Sequence, residues 1–205
     1  MTKTRSQTTG SQTAESPTRR RIVEAASKLF YGEGIRAVSV DAVAEKAGVT
    51  KRTLYYHFTS KDELVAAYLE ARDQPNLKLM AGWFENAEGS LPEKIEAIFV
   101  NLARAARHPR WKGCGFLRTA AELAALPGHP AIRIGSRHKA GFENWLASQC
   151  AAHGAAAPAE LARQVMLLMD GAFSIMLVHR DPAYVEAAGR AAAALTAQAA
   201  SATSR

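Results

Sequence analysis

The sequence predicts an all-α protein of about nine helices, and three observations carry that expectation. Apolar residues recur at spacings of three and four, as in Ile22, Val23, Ala26, Leu29 and Phe30, or Ile95, Ile98, Phe99 and Leu102. No stretch alternates with a period of two for long, so nothing argues for a sheet. The periodic segments are punctuated by helix starts and stops: Ser39, Thr50 and Ser60 stand at N-cap positions, prolines open several segments, and Gly34 and Gly48 close two.

With 205 residues, 48% of them apolar and 22% charged, the chain is an ordinary globular sequence with room for one or two domains. Its net charge of +7 fits a polyanionic partner without demanding one. The two cysteines, Cys114 and Cys150, make neither a disulfide framework nor a metal signature, which fits a reducing compartment. Cys114 reads as a buried structural cysteine, with redox sensing as its alternative. His129, His138, His153 and His179 lie in separate segments, so no metal and no cofactor are expected. The longest apolar run is far short of a membrane span, and MTKTRSQTTGSQTAESPTRR at the N-terminus lacks the apolar core of a signal peptide. These features make a cytoplasmic protein with no membrane partner the expectation.

Residues 1–15, rich in Ser, Thr, Gln and Gly, read as a disordered arm. Pro17 then opens the first helix, with Arg19, Arg20 and Arg21 at its start and Gly32 and Gly34 at its end. Val40, Val43, Ala44 and Ala47 give one apolar face to a short second helix capped by Ser39 and stopped by Gly48. In the third, capped by Thr50, Leu54 and Phe58 point inward while Lys51, Arg52, Tyr55 and Tyr56 fall on other faces. Ser60 and Glu63 have the spacing of a capping box for the fourth helix. Ser39 to Lys61 therefore reads as a helix-turn-helix leading into a further helix. Lys51 and Arg52, at the start of the exposed helix, are candidates for donating to guanine O6 and N7 in a major groove.

Leu64, Val65, Tyr68 and Leu69 give the fourth helix its inner face, and Pro75 predicts a kink or break near Asp73. Pro92 opens a helix to about Arg107, another spans roughly Gly115 to Ala125, and Pro130 opens one to about Ala152. Pro158 opens the next, through Val178, and Pro182 the last. Leu161, Val165, Leu168, Met169, Ala172, Phe173, Met176 and Leu177 make a stripe too wide for one face of a monomer helix. Phe84, Phe99, Phe116, Trp145, Met169 and Phe173 are candidates to line a ligand cavity between helices, with Arg118 beside them. From Arg104 to Lys139 there are eight Lys or Arg against the single acid Glu122. A solvated basic face is the first reading of that stretch, an anionic ligand or added phosphate attraction the others.

The run Gly48 to Lys61, GVTKRTLYYHFTSK, closely resembles the DNA-binding domain of the tetracycline-repressor (TetR) family of bacterial transcription regulators. The resemblance implies an N-terminal three-helix DNA-binding domain over 16–62 and a C-terminal ligand-binding and dimerisation domain over 63–200. It also implies a base-edge contact from Tyr55 and phosphate contacts from Ser39, Thr53, Tyr56, His57 and Lys61. Family members dimerise through a four-helix bundle of two C-terminal helices from each subunit, which points to Leu161, Val165, Leu168, Ala172, Met176, Ala187 and Ala191. The segment GCGFLRTAAEL, with His138-Lys139 and LLMDGA, resembles a subgroup whose C-terminal domain commonly has no assigned ligand. The expected protein is a homodimeric repressor, released from a palindromic double-stranded DNA operator by an unknown small-molecule effector. A regulator without an effector, or an activator, shares all these residues. An enzyme would leave the exposed third helix unexplained and lacks a nucleophile–base pair, a phosphate loop or a metal motif.

Overall fold

The computed structural model describes residues 16–202, so the expected arm at 1–15 lies outside the described residues. Among them the chain is all helix: α1 (Pro17–Glu33), α2 (Val40–Ala47), α3 (Lys51–His57), α4 (Lys61–Glu85), α5 (Leu91–Ala106), α6 (Gly115–Glu122), α7 (Pro130–Ala152), α8 (Pro158–His179) and α9 (Ala183–Ala202).

The caps explain the boundaries of the first four. Ser16, Ser39, Thr50 and Ser60 each accept a hydrogen bond from the backbone N–H three residues on, which satisfies one of the free amides of the new helix. Gly48 takes the left-handed conformation (φ 63°) that turns α2 into α3. The capping box expected at Ser60 is only half formed. Glu63 Oε2 accepts from the N–H and hydroxyl of Thr59, one residue earlier than the box requires. A reciprocal box forms instead at α5, where the N–H and hydroxyl of Ser90 both donate to Glu93, and these bonds hold the Glu93 carboxyl below its usual range.

Of the kink or break expected near Asp73, the break is absent, since α4 continues through Pro75 to Glu85. Proline removes one backbone bond there, but Leu64, Val65, Tyr68 and Leu69 on one side and Phe84 on the other are buried and anchor both halves. Each half lies in a different core. One core joins α1, α2, α3 and the first half of α4, and takes in Phe116, Leu123, Ala131 and Ile134 from α6 and α7. The other joins the end of α4 to α5, α7, α8 and α9. Helix α6 and the start of α7 therefore share a core with the helix-turn-helix domain, although they lie far downstream of it in the chain.

Helix α8 is long and apolar enough by length and composition to cross a bilayer, contrary to the expectation from the sequence. Its hydropathy has a source within the bundle: Leu161, Ala162, Val165, Met166, Met169, Ala172, Phe173 and Met176 are buried against the neighbouring helices. The wide stripe is thus divided. Leu161, Val165, Ala172 and Met176, expected at a dimer interface, point into the protomer's own core, while Leu168 is half-buried. The large apolar residues that α8 leaves exposed are Leu167, Ile175 and Val178. On α9 the expected Ala187 and Ala191 are exposed, together with Tyr184.

Candidate nucleic-acid interface and regulatory cavity

Helix α3 is held by two anchors. Leu54 and Phe58 are buried, and the Arg19 guanidinium of α1 lies 4.7 Å over the Phe58 ring. Its other side carries the residues singled out in the sequence. Lys51, Arg52, Tyr55 and Tyr56 are exposed, Thr53 and His57 are half-buried, and Tyr56 is the most open of the large apolar residues at 85%. Tyr56 and His57 meet edge to face at 5.2 Å, and the hydroxyls of Thr50 and Thr53 lie 2.8 Å apart. Ser39, exposed at the start of α2, and Lys61, half-buried at the start of α4, stand at the other two helix N-termini of this face.

Lys51 has a partner the sequence reading missed. Its ammonium lies 2.9 Å from Asp41, and the hydrogen bond to that carboxylate raises the lysine pKa above its usual value. The pair is exposed, so a nucleic acid has little to overcome in drawing the lysine away.

A second site lies where the two cores meet. Tyr31, at the end of α1, accepts a hydrogen bond from the Lys112 N–H (2.9 Å) and donates to the Gly113 carbonyl (3.2 Å). Arg118 donates to the Tyr31 carbonyl at 2.7 Å, and Glu122 accepts from the backbone N–H groups of Ile35 and Arg36. Next to these contacts is a cavity of about 190 Å³, reached by Tyr31 of α1, Arg72 and Trp83 of α4, Trp111 before α6, His138 of α7 and Phe173 of α8.

Of the residues expected there, Met169 and Phe173 line it. Phe84, Phe99, Phe116, Arg118 and Trp145 do not, because other contacts take them. Phe84 and Trp145 pack edge to face at 5.4 Å, Phe99 fits against Gly189, and Phe116 stacks on His138 at 3.7 Å. Arg118 is engaged by Tyr31. Tyr31, Arg72, Trp111 and Lys139 are lining residues that the sequence reading did not select. No local sequence pattern marks these four, which come from four separate segments of the chain. Cys114 is half-buried and also lines the cavity, while Cys150 is fully buried and its thiol is pushed up by that burial. Burial likewise pushes the Tyr68 hydroxyl up to about 12, against the opposing charges of Arg72 and Arg118.

Three of the eight basic residues between Arg104 and Lys139 meet carboxylates. Arg107 pairs with Glu186, Arg137 with Glu70, and Lys139 with Asp170.

A short, doubly anchored helix with an exposed basic and aromatic face, set behind a glycine turn, defines a helix-turn-helix DNA-binding protein. The sequence profile of the bacterial regulatory proteins of the tetR family matches residues 22–68. The transcriptional regulator SrpR of Pseudomonas putida is 41% identical over 58 residues, which is 28% of this chain and 27% of that protein. The first curated relatives are thus matched over less than half of their length, 27% and 43%. Solved structures match over nearly the whole fold. A Streptomyces avermitilis protein assigned as a TetR transcriptional regulator is 31% identical, covering 86% of this chain and 98% of the other with a TM-score of 0.72. A TetR-family regulator from Streptomyces coelicolor is 26% identical, covering 89% and 96%, with a TM-score of 0.76. The chain belongs to the TetR family of transcriptional regulators. It is a DNA-binding regulator and not an enzyme.

Proposed function

We propose that the protein is a homodimeric, cytoplasmic repressor of a palindromic operator, released by a small molecule that enters the cavity between the two cores. In this reading Lys51, Arg52 and Tyr55 reach base edges, and Ser39, Thr53, Tyr56, His57 and Lys61 meet phosphates. The observation that carries it is the exposure of Ser39, Lys51, Arg52, Tyr55 and Tyr56 about α2 and α3, with Thr53, His57 and Lys61 half-buried beside them, while Leu54 and Phe58 anchor α3 in the core.

Two further features support the dimer and the effector. Leu167, Ile175 and Val178 of α8 and Tyr184, Ala187 and Ala191 of α9 leave apolar side chains in solvent on two long, adjacent helices, which a second copy would cover in a four-helix bundle. Two-fold pairing would also set two α3 helices against successive major grooves, about 34 Å apart. The cavity is bordered by Tyr31, which ends α1, and by α4, which links both cores. A ligand acts only through its differential affinity for two arrangements, and a cavity at this junction can distinguish them.

The test is selection of DNA from a random pool by the purified protein, with Lys51→Ala/Arg52→Ala in parallel. Enrichment of a palindrome by the wild type alone supports the reading. Enrichment of no motif by either protein refutes sequence-specific recognition through α3.

A further inference from the structure

The cavity carries a chemical signature of its own. Among its lining residues are two cations, Arg72 and Lys139, and no Asp or Glu. Lys139 is already neutralised by Asp170, and His138 is held at 2.7 Å by Asp73. Arg72 differs. Its Nε is buried and has no hydrogen-bond partner, and its guanidinium lies over the rings of Tyr31 (4.5 Å) and Tyr68 (5.8 Å) rather than against a carboxylate. A buried guanidinium N–H without an acceptor is costly, and the planar fork it belongs to matches a carboxylate better than any neutral group.

Asn76 apart, the rest of the wall is mostly apolar and aromatic. Trp111 and Phe173 lie nearly parallel at 6.2 Å, with Phe142, Trp83, Met169 and Leu102 around them. The volume of about 190 Å³ is small beside ordinary drug-sized pockets of roughly 300–1,000 Å³, and slightly exceeds the cavity of about 150 Å³ that holds a benzene ring. That leaves room for one ring and a short polar substituent.

We propose that the cavity binds a single-ring aromatic carboxylate, its anionic end on Arg72 and its ring among Trp111, Phe142 and Phe173. This deepens the effector reading above and rests on it for its regulatory meaning, but not for the binding itself. The carboxylate supplies the acceptor that Nε lacks, and the ring fills the apolar end that an inorganic anion would leave empty.

Binding is measured on the full chain without DNA, by calorimetry and by the fluorescence of Trp83 and Trp111. The probes are benzoate and phenylacetate, with benzamide as the neutral isostere and inorganic phosphate as the bare anion. The expected result is saturable binding of at least one acid, about tenfold or more tighter than benzamide or phosphate. Arg72→Gln should remove the preference for the acid, and Arg72→Lys should keep part of it. Equal affinity for benzamide and benzoate, no saturation by either acid, or undiminished benzoate affinity in folded Arg72→Gln overturns the proposal. Should Arg72→Gln not fold, the wild-type ratio of acid to amide decides alone. Acid binding without operator release would count against the effector role and leave the site standing.

Discussion

Glu122 Oε2 lies 2.7 Å from the backbone nitrogen of Ile35. The same oxygen also accepts from the Arg36 N–H at 3.0 Å, so one side chain of α6 closes the loop that leads from α1 into α2. Ile35 is buried and no other group satisfies these amides in the described structure. Glu122→Ala should therefore cost about 1–3 kcal/mol in urea unfolding, and Glu122→Gln, which retains one accepting oxygen, distinctly less. Equal stability of all three proteins would show that the amides find solvent instead.

On the DNA face the expected contacts divide by what they read. Lys51→Ala or Arg52→Ala should lower affinity for the selected operator roughly 5- to 150-fold and relax preference at the contacted base pairs. Lys61→Ala should weaken all DNA alike and reduce the slope of log affinity against log salt by about one. Binding titrations on the operator and on a scrambled duplex check both. Uniform loss from all three would contradict the division.

The legibility of this fold differs between its halves for a physical reason. Caps and short-range periodicity set α1 to α4, and Ser39, Gly48, Thr50, Leu54 and Phe58 all stand where local sequence put them. The exposed face of α3 follows from the same periodicity, so its accessible residues could be named in advance. The cavity is built otherwise. It is assembled from Tyr31, Arg72, Trp111, His138 and Phe173, which come from five separate segments, and no local pattern records which aromatic of a bundle helix faces a neighbour and which faces a void. Phe84, Phe99 and Phe116 were as eligible as Phe173 by spacing alone. The division of α8 is equally illegible, because its apolar stripe runs from residues packed against α7 and α9 to residues open to solvent without marking the boundary.

Gly189 is a place where helix propensity and packing oppose each other. A Cβ there would lie 2.6 Å from Phe99 Cβ, on the backbone-fixed part of a side chain that cannot swing away. Alanine would gain about 1 kcal/mol in helix propensity, but separating α5 from α9 costs typically 1–3 kcal/mol and Phe99 is completely buried. Packing should win, so Gly189→Ala is expected to be destabilising in chemical denaturation at fixed protein concentration. A stabilised variant would mean the two helices separate easily.

The two faces of α8 predict opposite phenotypes. Leu167→Glu/Ile175→Glu places charge on residues exposed in the protomer, so helicity should be kept while sedimentation shifts from dimer to monomer and operator affinity falls. Leu161→Ala removes a side chain buried in the protomer core and should cost about 2–5 kcal/mol of stability. An unchanged dimer in the double-Glu variant would exclude this face as the interface.

His138 gives the junction a defined response to acid. Its ring is buried between α4 and α6, stacked on Phe116 and hydrogen-bonded through Nδ1 to Asp73. Burial disfavours the imidazolium and lowers the pKa below the usual 6.5, and the Asp73 carboxylate offsets this only in part, with Lys139 and Asp170 as smaller opposing influences. Because the folded pKa lies below the unfolded one, the unfolded chain takes up more protons in the interval between them. The contribution of His138 to stability is thus fully present above about pH 6.5 and is lost as pH falls through the folded pKa. His138→Gln should flatten this part of the stability profile, and Asp73→Asn, which removes the main group favouring the proton, should deepen the acid loss. Proton NMR titration of the His138 ring supplies the decisive number. A midpoint above 6.5 would mean that Asp73 outweighs burial, and the junction would then gain stability on acidification instead of losing it.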